Sequence, residues 1–208
     1  MGVLIAGPWF KDEHGRTHIL RGVNLSGSSK VPRIPDGATH RREGFFAHRN
    51  VSFVGRPFPL EEAAEHFERL RTWGMTCVRF LVTWEAIEHA GPGLYDDDYL
   101  DYVTAVLEKA LAFDLQVFVD FHQDVWSRFS GGDGAPGWTL EVAGLDMHHF
   151  APTAAAIVHA THGDPFPRMI WPTNATNLAA ATMFTLFFGG RLFAPQCTIE
   201  GENIQDYL

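Results

Sequence analysis

The stretch Val117-Phe118-Val119-Asp120-Phe121-His122-Gln123-Asp124-Val125-Trp126 constrains the fold more than any other part of this sequence. Apolar residues flank a single acid and then give way to His-Gln-Asp, the pattern of a strand buried on both faces that ends in polar side chains. Such strands belong to parallel sheets, whose chemistry gathers at the strands' C-terminal ends. The following segment, Ser127 to Gly137, carries too many glycines to pack a core and is expected to let backbone approach a ligand. The two features together predict a substrate pocket at this strand end.

The surrounding pattern supplies neighbours for that strand. Residues Trp9 to Thr17 read as a hairpin turning near Asp12 to Gly15 and feeding a strand from Ile19 to Leu25. Leu60, Ala63, Ala64, Phe67, Leu70 and Trp73 follow helical spacing up to Gly74. Met75 to Val82 is then almost continuously apolar. Asp96 to Asp98 opens a second helix with Leu100, Val103, Leu107, Ala110 and Leu111 on one face, and Leu115 to His122 is the third strand. Two βαβ units result. From Val125 to Thr173 there is no strong period, so this reads as a long insertion; Asn177 to Phe188 returns to helix, and Ile199 to Leu208 looks like the start of another.

This is an α/β pattern, and a polar strand end is where α/β barrels keep their chemistry, so a TIM (β/α)8 barrel is the expected fold. Closure needs eight strands and typically about 250 residues. The 208 residues supply about the first three strands, one domain over 1–208 with an insertion around 125–173, and an unpaired sheet edge is expected.

Composition narrows the partners. Sixteen basic against 25 acidic residues give a formal charge of −9, which repels nucleic acid. Cys77 and Cys197 are too few for a disulfide framework and read as buried free thiols. Met1 to Ala6 has neither a basic start nor a long apolar run, so the chain is expected to be cytoplasmic, and the Asn-x-Ser/Thr triplets at Asn24, Asn50 and Asn174 are coincidental.

Residues two apart on a strand share a face, so Asp120 and His122 point together, and Arg79 needs a buried partner, for which Asp120 is the candidate. His122 and Asp124 suit the binding of sugar hydroxyls; a core histidine and an Asx turn are the plainer readings. A metal held by His122, Asp124, His148 and His149 is the sharper rival. Trp84, Trp126 and Trp138 could stack on sugar rings or simply fill a core. Glu85 and Glu88 are further carboxylates, Glu88 being expected in a solvated or helix-entry position.

Several separated motifs carry a resemblance. Leu20-Arg21-Gly22-Val23-Asn24-Leu25, Gly74-Met75-Thr76-Cys77-Val78-Arg79-Phe80, Trp84-Glu85-Ala86-Ile87-Glu88, Gly93-Leu94-Tyr95-Asp96 and Val119-Asp120-Phe121-His122-Gln123-Asp124 together resemble glycoside hydrolase family 5. Asn24 to Lys30, His122 to Asp124 and Gly132 to Trp138 are similar to its endoglycoceramidase-related branch. Pro167 to Asn174 and Thr182 to Phe188 resemble the fungal steryl-β-glucosidase and glucosylceramidase members.

The resemblance implies retaining hydrolysis of a glucolipid, with ergosteryl glucoside favoured over glucosylceramide, and neither metal nor cofactor. It implies that Arg79 and His122 support the nucleophile by orientation and charge tuning and that Lys30 and Asp124 contact the substrate; with Trp138 as a stacking candidate, Lys30, Arg79, His122, Asp124 and Trp138 are the expected substrate-binding residues. Retaining enzymes use two carboxyl groups roughly 5 to 5.5 Å apart. In this family the acid/base sits in an Asn-Glu-Pro-like motif after strand four and the nucleophile after strand seven. No Asn-Glu pair occurs here, so both are expected beyond Leu208, the chain alone is expected to be inactive, and the remainder of the barrel is a required partner. Residues 151–171 could shelter a lipid aglycone or equally cover the barrel's flank, and a peripheral contact with membrane lipid is a further expectation. The alternatives are a non-catalytic sugar- or lipid-binding fragment and a metal-dependent hydrolase barrel.

Overall fold

The computed structural model describes residues 3–25, 27–162 and 170–208. Strand β1 (Leu4–Ala6) pairs antiparallel with β2 (Trp9–Lys11) across Gly7 and Pro8, a hairpin earlier than the expected one. The Asp12 to Gly15 turn forms as well: the Gly15 N–H donates to the Asp12 carbonyl at 2.9 Å, and Lys11 bridges to Thr17. Strand β3 is shorter than expected, covering only Gly22–Leu25.

A short 3-10 turn after Pro59 leads into α1 (Ala63–Thr72), which buries Ala63, Phe67 and Leu70 and stops where Gly74 takes the left-handed conformation (φ 79°). Strand β4 (Cys77–Val82) follows, then α2 (Trp84–Glu88), a helix the periodicity did not announce, capped by Thr83. Helix α3 (Asp97–Ala112) is capped by Asp96, whose carboxylate accepts from the Tyr99 N–H at 2.9 Å. Its buried face is Tyr99, Tyr102, Val103, Val106 and Ala110, whereas Leu100 and Leu111 are exposed. The expected face is therefore rotated. The two tyrosines bury large rings; the Tyr102 hydroxyl donates to the Phe58 carbonyl at 2.6 Å, whereas the Tyr99 hydroxyl is buried with no hydrogen-bond partner among the described residues.

Strand β5 (Gln116–Phe121) completes a parallel sheet of order β3-β4-β5, with Asn24, Arg79 and Phe118 in register. One face, through Val78, Phe80 and Val82, packs on Phe67, Val103 and Val106. Each such fully buried side chain contributes about 1.5 to 3 kcal/mol. The expectation that β5 is covered on both faces is corrected: Phe118 is 58% exposed, Val119 38% and Phe121 76%. Among the described residues nothing pairs with its outer edge. Apolar side chains on both faces of an edge strand are the composition of a central strand, and three strands of eight make this an incomplete (β/α)8 barrel.

The glycine-rich loop overturns its expectation more sharply. Trp126, Phe129, Ala135, Trp138 and Leu140 are buried in a second core with Phe45 and Met147. Glycine serves close backbone contact here: a Cβ on Gly132 would lie 1.8 Å from the Asp124 carbonyl oxygen. Arg128 pins the loop. Its Nε is 2.9 Å from Glu85, its other nitrogens donate to the Phe45 and Ala47 carbonyls, and its guanidinium lies 4.2 Å from the Phe129 ring centre.

Short helices α4 (Gly137–Val142), α5 (His159–His162) and α6 (Ile170–Asn174) follow. Helix α7 (Leu178–Phe193) runs past the expected end at Phe188, through non-helical Gly189, and sends Met183 and Phe187 into the second core. The expected C-terminal helix is instead a tiny hairpin, β6 (Thr198–Ile199) with β7 (Glu202–Asn203), and a 3-10 turn over Ile204–Tyr207. Cys77 and Cys197 are free thiols. No helix among the described residues is long and apolar enough to cross a membrane.

Candidate active site

Polar side chains gather where β3, β4 and β5 end. Register places Asn24 beside Arg79, and Asp120, two residues beyond Phe118, shares their face. Arg79 Nη2 donates to Asp120 Oδ2 at 2.7 Å and lies 3.3 Å from His122 Nδ1, while Nη1 reaches Asn24 Oδ1 at 3.4 Å. The backbone N–H of His122 donates to the Val82 carbonyl at 2.8 Å, so the ladder carries the imidazole one step past β5. Its Nδ1 is 2.9 Å from Asp120 and its Nε2 3.1 Å from Asp124. Whichever nitrogen bears the proton, a carboxylate stands ready to accept it.

The Arg79 side chain is 36% exposed and that of Asp120 19%. A pair this open to water is worth about 1 kcal/mol at most, so its main contribution is to fix orientation.

A second group adjoins the first. Lys30, at the end of a 3-10 turn after β3, places Nζ 2.9 Å from Asp124 Oδ2 and 3.1 Å from Asp133 Oδ2. Asp124 and Asp133 also exchange two backbone hydrogen bonds of 3.0 Å, which lock the loop across the strand end. Burial opposes the charge on Lys30 and on Asp124. Their mutual attraction outweighs it, holding the ammonium above its usual range and the Asp124 carboxyl below. Asp133 goes the other way: deeper burial outweighs Lys30 and His122 and pushes its carboxyl up to about 6. Its Oδ1 is buried without a hydrogen-bond partner, 3.7 Å from His122 Nε2.

His122, Asp124 and Asp133 present ligand atoms within 4.8 Å of one another, a spacing compatible with a divalent cation. The Lys30 ammonium already sits against both carboxylates of this group and offsets one of their two charges. His148 and His149 do not join the group, since His148 packs on Phe46 at 4.2 Å and His149 pairs with Asp146 at 2.8 Å.

Lys30, Arg79, His122 and Asp124 are thus brought together as expected. Trp138 is not: it is fully buried, its Nε1 donating to the Glu88 carbonyl at 2.7 Å, so it fills the core and offers no ring face to a ligand. Glu85 is spent on Arg128. Glu88, expected in solvent, is buried and accepts from Trp84 Nε1, the Gly93 N–H and the Tyr207 hydroxyl.

Asp133 lies within the Gly132 to Trp138 motif but is not among the expected site residues; an acid between two glycines is a signal, because its burial demands a partner. A cavity of about 220 Å3 opens on the group, lined also by Thr39, His159 and Trp171. Ser26 and residues 163–169, within two of the resemblance motifs and part of the presumed lipid-sheltering loop, lie outside the described residues.

Parallel strands alternating with helices, and a polar cluster at their C-terminal ends, are the arrangement found on the upper rim of a (β/α)8 barrel. The cellulase family, glycosyl hydrolase family 5, matches residues 37–157, and the chain belongs to it. A glucosylceramidase of Rhizopus delemar is 56% identical over 209 residues, which cover 98% of this chain and 30% of that protein. An ergosteryl-β-glucosidase of Saccharomyces cerevisiae is 47% identical over 96% of this chain and 28% of its own length. The crystal structure of sterylglucosidase 1 of Cryptococcus neoformans aligns with a TM-score of 0.90 at 46% identity, covering 96% of this chain and 29% of that one. Endoglycoceramidases are more distant relatives. The chain therefore spans about 30% of the length of the curated relatives it matches.

Proposed function

We propose that this chain is the N-terminal portion of the catalytic domain of a retaining β-glucosidase acting on a glucolipid, a steryl β-glucoside or glucosylceramide. The carrying observation is the linked group Lys30, Asp124, His122, Asp120 and Arg79 at the strand ends of a family 5 barrel. In this reading Lys30 and Asp124 hold glucose hydroxyls, and Arg79 and His122 tune the charge near the nucleophile. The acid/base and nucleophile come from later strands. The two glutamates here that could compete for those roles, Glu85 and Glu88, are both buried and hydrogen-bonded away from the cleft. The names of the Rhizopus and Saccharomyces relatives differ in the lipid and agree on the sugar.

The test compares residues 1–208 with the complete polypeptide that carries them. Ergosteryl glucoside or glucosylceramide should be hydrolysed by the complete polypeptide with retained anomeric configuration, observed by NMR at early time. The isolated chain should hydrolyse neither lipid nor a fluorogenic β-glucoside, because oxocarbenium stabilisation requires both carboxylates. Turnover by the isolated chain, or inversion by the complete one, would sink the reading.

A further inference from the structure

The cavity above Lys30 has two unlike sides. Lys30, Asp124 and Asp133 form a charged floor at the ends of the strands. Thr39, His159 and Trp171 form a wall, and all three come from segments outside the parallel sheet. Thr39 precedes α1, His159 opens α5 and Trp171 lies in α6.

The wall is fixed by bonds rather than left loose. Thr39 Oγ1 is 3.4 Å from His159 Nδ1, which joins two segments far apart in sequence. Asn174, fully buried at the end of α6, accepts from the Ile157 N–H at 2.8 Å and donates to the Ile157 carbonyl at 2.6 Å. That pair of hydrogen bonds anchors α6 and so places Trp171. The indole is nevertheless 44% exposed, an open aromatic face beside a polar floor. A sugar presents polar edges and an apolar C–H face, so this pairing suits one.

Size then sets the limit. The space between floor and wall, about 220 Å3 and open on one side, lies below the roughly 300 Å3 at which pockets begin to take drug-sized ligands, a size that suits one sugar ring against Trp171. We propose that Trp171, backed by His159 and Thr39, is an end wall that restricts the glycone over Lys30 and Asp124 to a single sugar ring. The wall thus determines specificity for monoglycosylated substrates, and this inference rests on the glucosidase reading above.

The experiment uses the complete polypeptide and two methylumbelliferyl substrates, the β-glucoside and the β-cellobioside, with release of intact cellobiose followed by chromatography. The readout is the ratio of the two kcat/KM values. Wild type should prefer the glucoside strongly, and Trp171→Ala should narrow the preference by about tenfold or more, since removing a steric block changes the discrimination between substrates and not merely the rate. Should Trp171→Ala lose activity on both, His159→Ala, which frees Thr39 and retracts the wall, decides by the same ratio. An active wild type whose ratio is unchanged in the variants overturns the wall alone. A wild type inactive on β-glucosides overturns the glucosidase reading and the wall with it.

Discussion

Lys30 Nζ lies 2.9 Å from Asp124 Oδ2 and nearly as close to Asp133, so one ammonium serves two carboxylates that would otherwise repel each other. Replacing it by Ala leaves both acids with His122 as the neighbouring base. Lys30→Ala should lower kcat/KM for a β-glucoside by at least about tenfold, the loss expected when a charged hydrogen bond to substrate goes. In thermal unfolding the variant, unlike wild type, should be stabilised by added zinc, which can now enter among His122, Asp124 and Asp133. Equal zinc responses would show that Lys30 does not hold that position.

Asp133 gives a pH signature of definite sign. Its carboxyl is raised from 3.8 to about 6 in the fold, so the protonated form is favoured there. Its stabilising contribution is complete below about pH 4 and is lost as pH rises through 6. Asp133→Asn removes the ionisation while keeping an oxygen for Lys30. The Tm difference between variant and wild type should therefore move in the variant's favour between pH 4 and 7. A flat difference would mean that Asp133 ionises freely.

Arg128 and Glu85 are essentially without solvent contact, at 0% and 1% exposure. Taking away one partner strands a charge, so Arg128→Ala should cost about 3 to 5 kcal/mol in chemical denaturation. Arg128→Met with Glu85→Gln should recover part of that loss. Equal costs for the single and double variants would show that the stranded Glu85 charge contributes nothing to the loss.

Gly132→Ala should disrupt the site, because the added methyl meets the Asp124 carbonyl and the two-way Asp124–Asp133 backbone pairing must open. Gly27→Ala, with nothing within 4 Å of its added carbon, is the matched control. A loss of stability of about 2 kcal/mol or more is expected for the first alone, the scale of overpacking a tight site.

The free edge of β5 predicts self-association of the isolated 208-residue chain, since Phe118, Val119 and Phe121 present apolar surface beside unpaired backbone. Phe121→Lys should reduce it in light scattering; no change would locate the sticky surface elsewhere.

The sheet was legible because apolar runs and helical periods report burial directly: Met75 to Val82 could scarcely be anything but a covered strand. The pairing of Arg79 with Asp120 followed from two-residue periodicity plus the cost of an unpartnered arginine. What stayed hidden depended on distant partners. Glu88 looked solvated because its ligands include Tyr207, over a hundred residues away. Trp138 and Trp171 carry the same side chain, and only packing by Asn174 and the second core decides which ring meets solvent. The loop's glycines read as slack, although they permit backbone contact tighter than any side chain allows.

Every side chain of the charged group, from Asn24 to Asp133, lies in one uninterrupted stretch of polypeptide. In the glucosidase reading, the grip on the sugar and the bond-breaking carboxylates are therefore separately heritable. A recombinant joining this portion to the remaining strands of a related barrel would inherit its choice of sugar from one parent and its chemistry from the other.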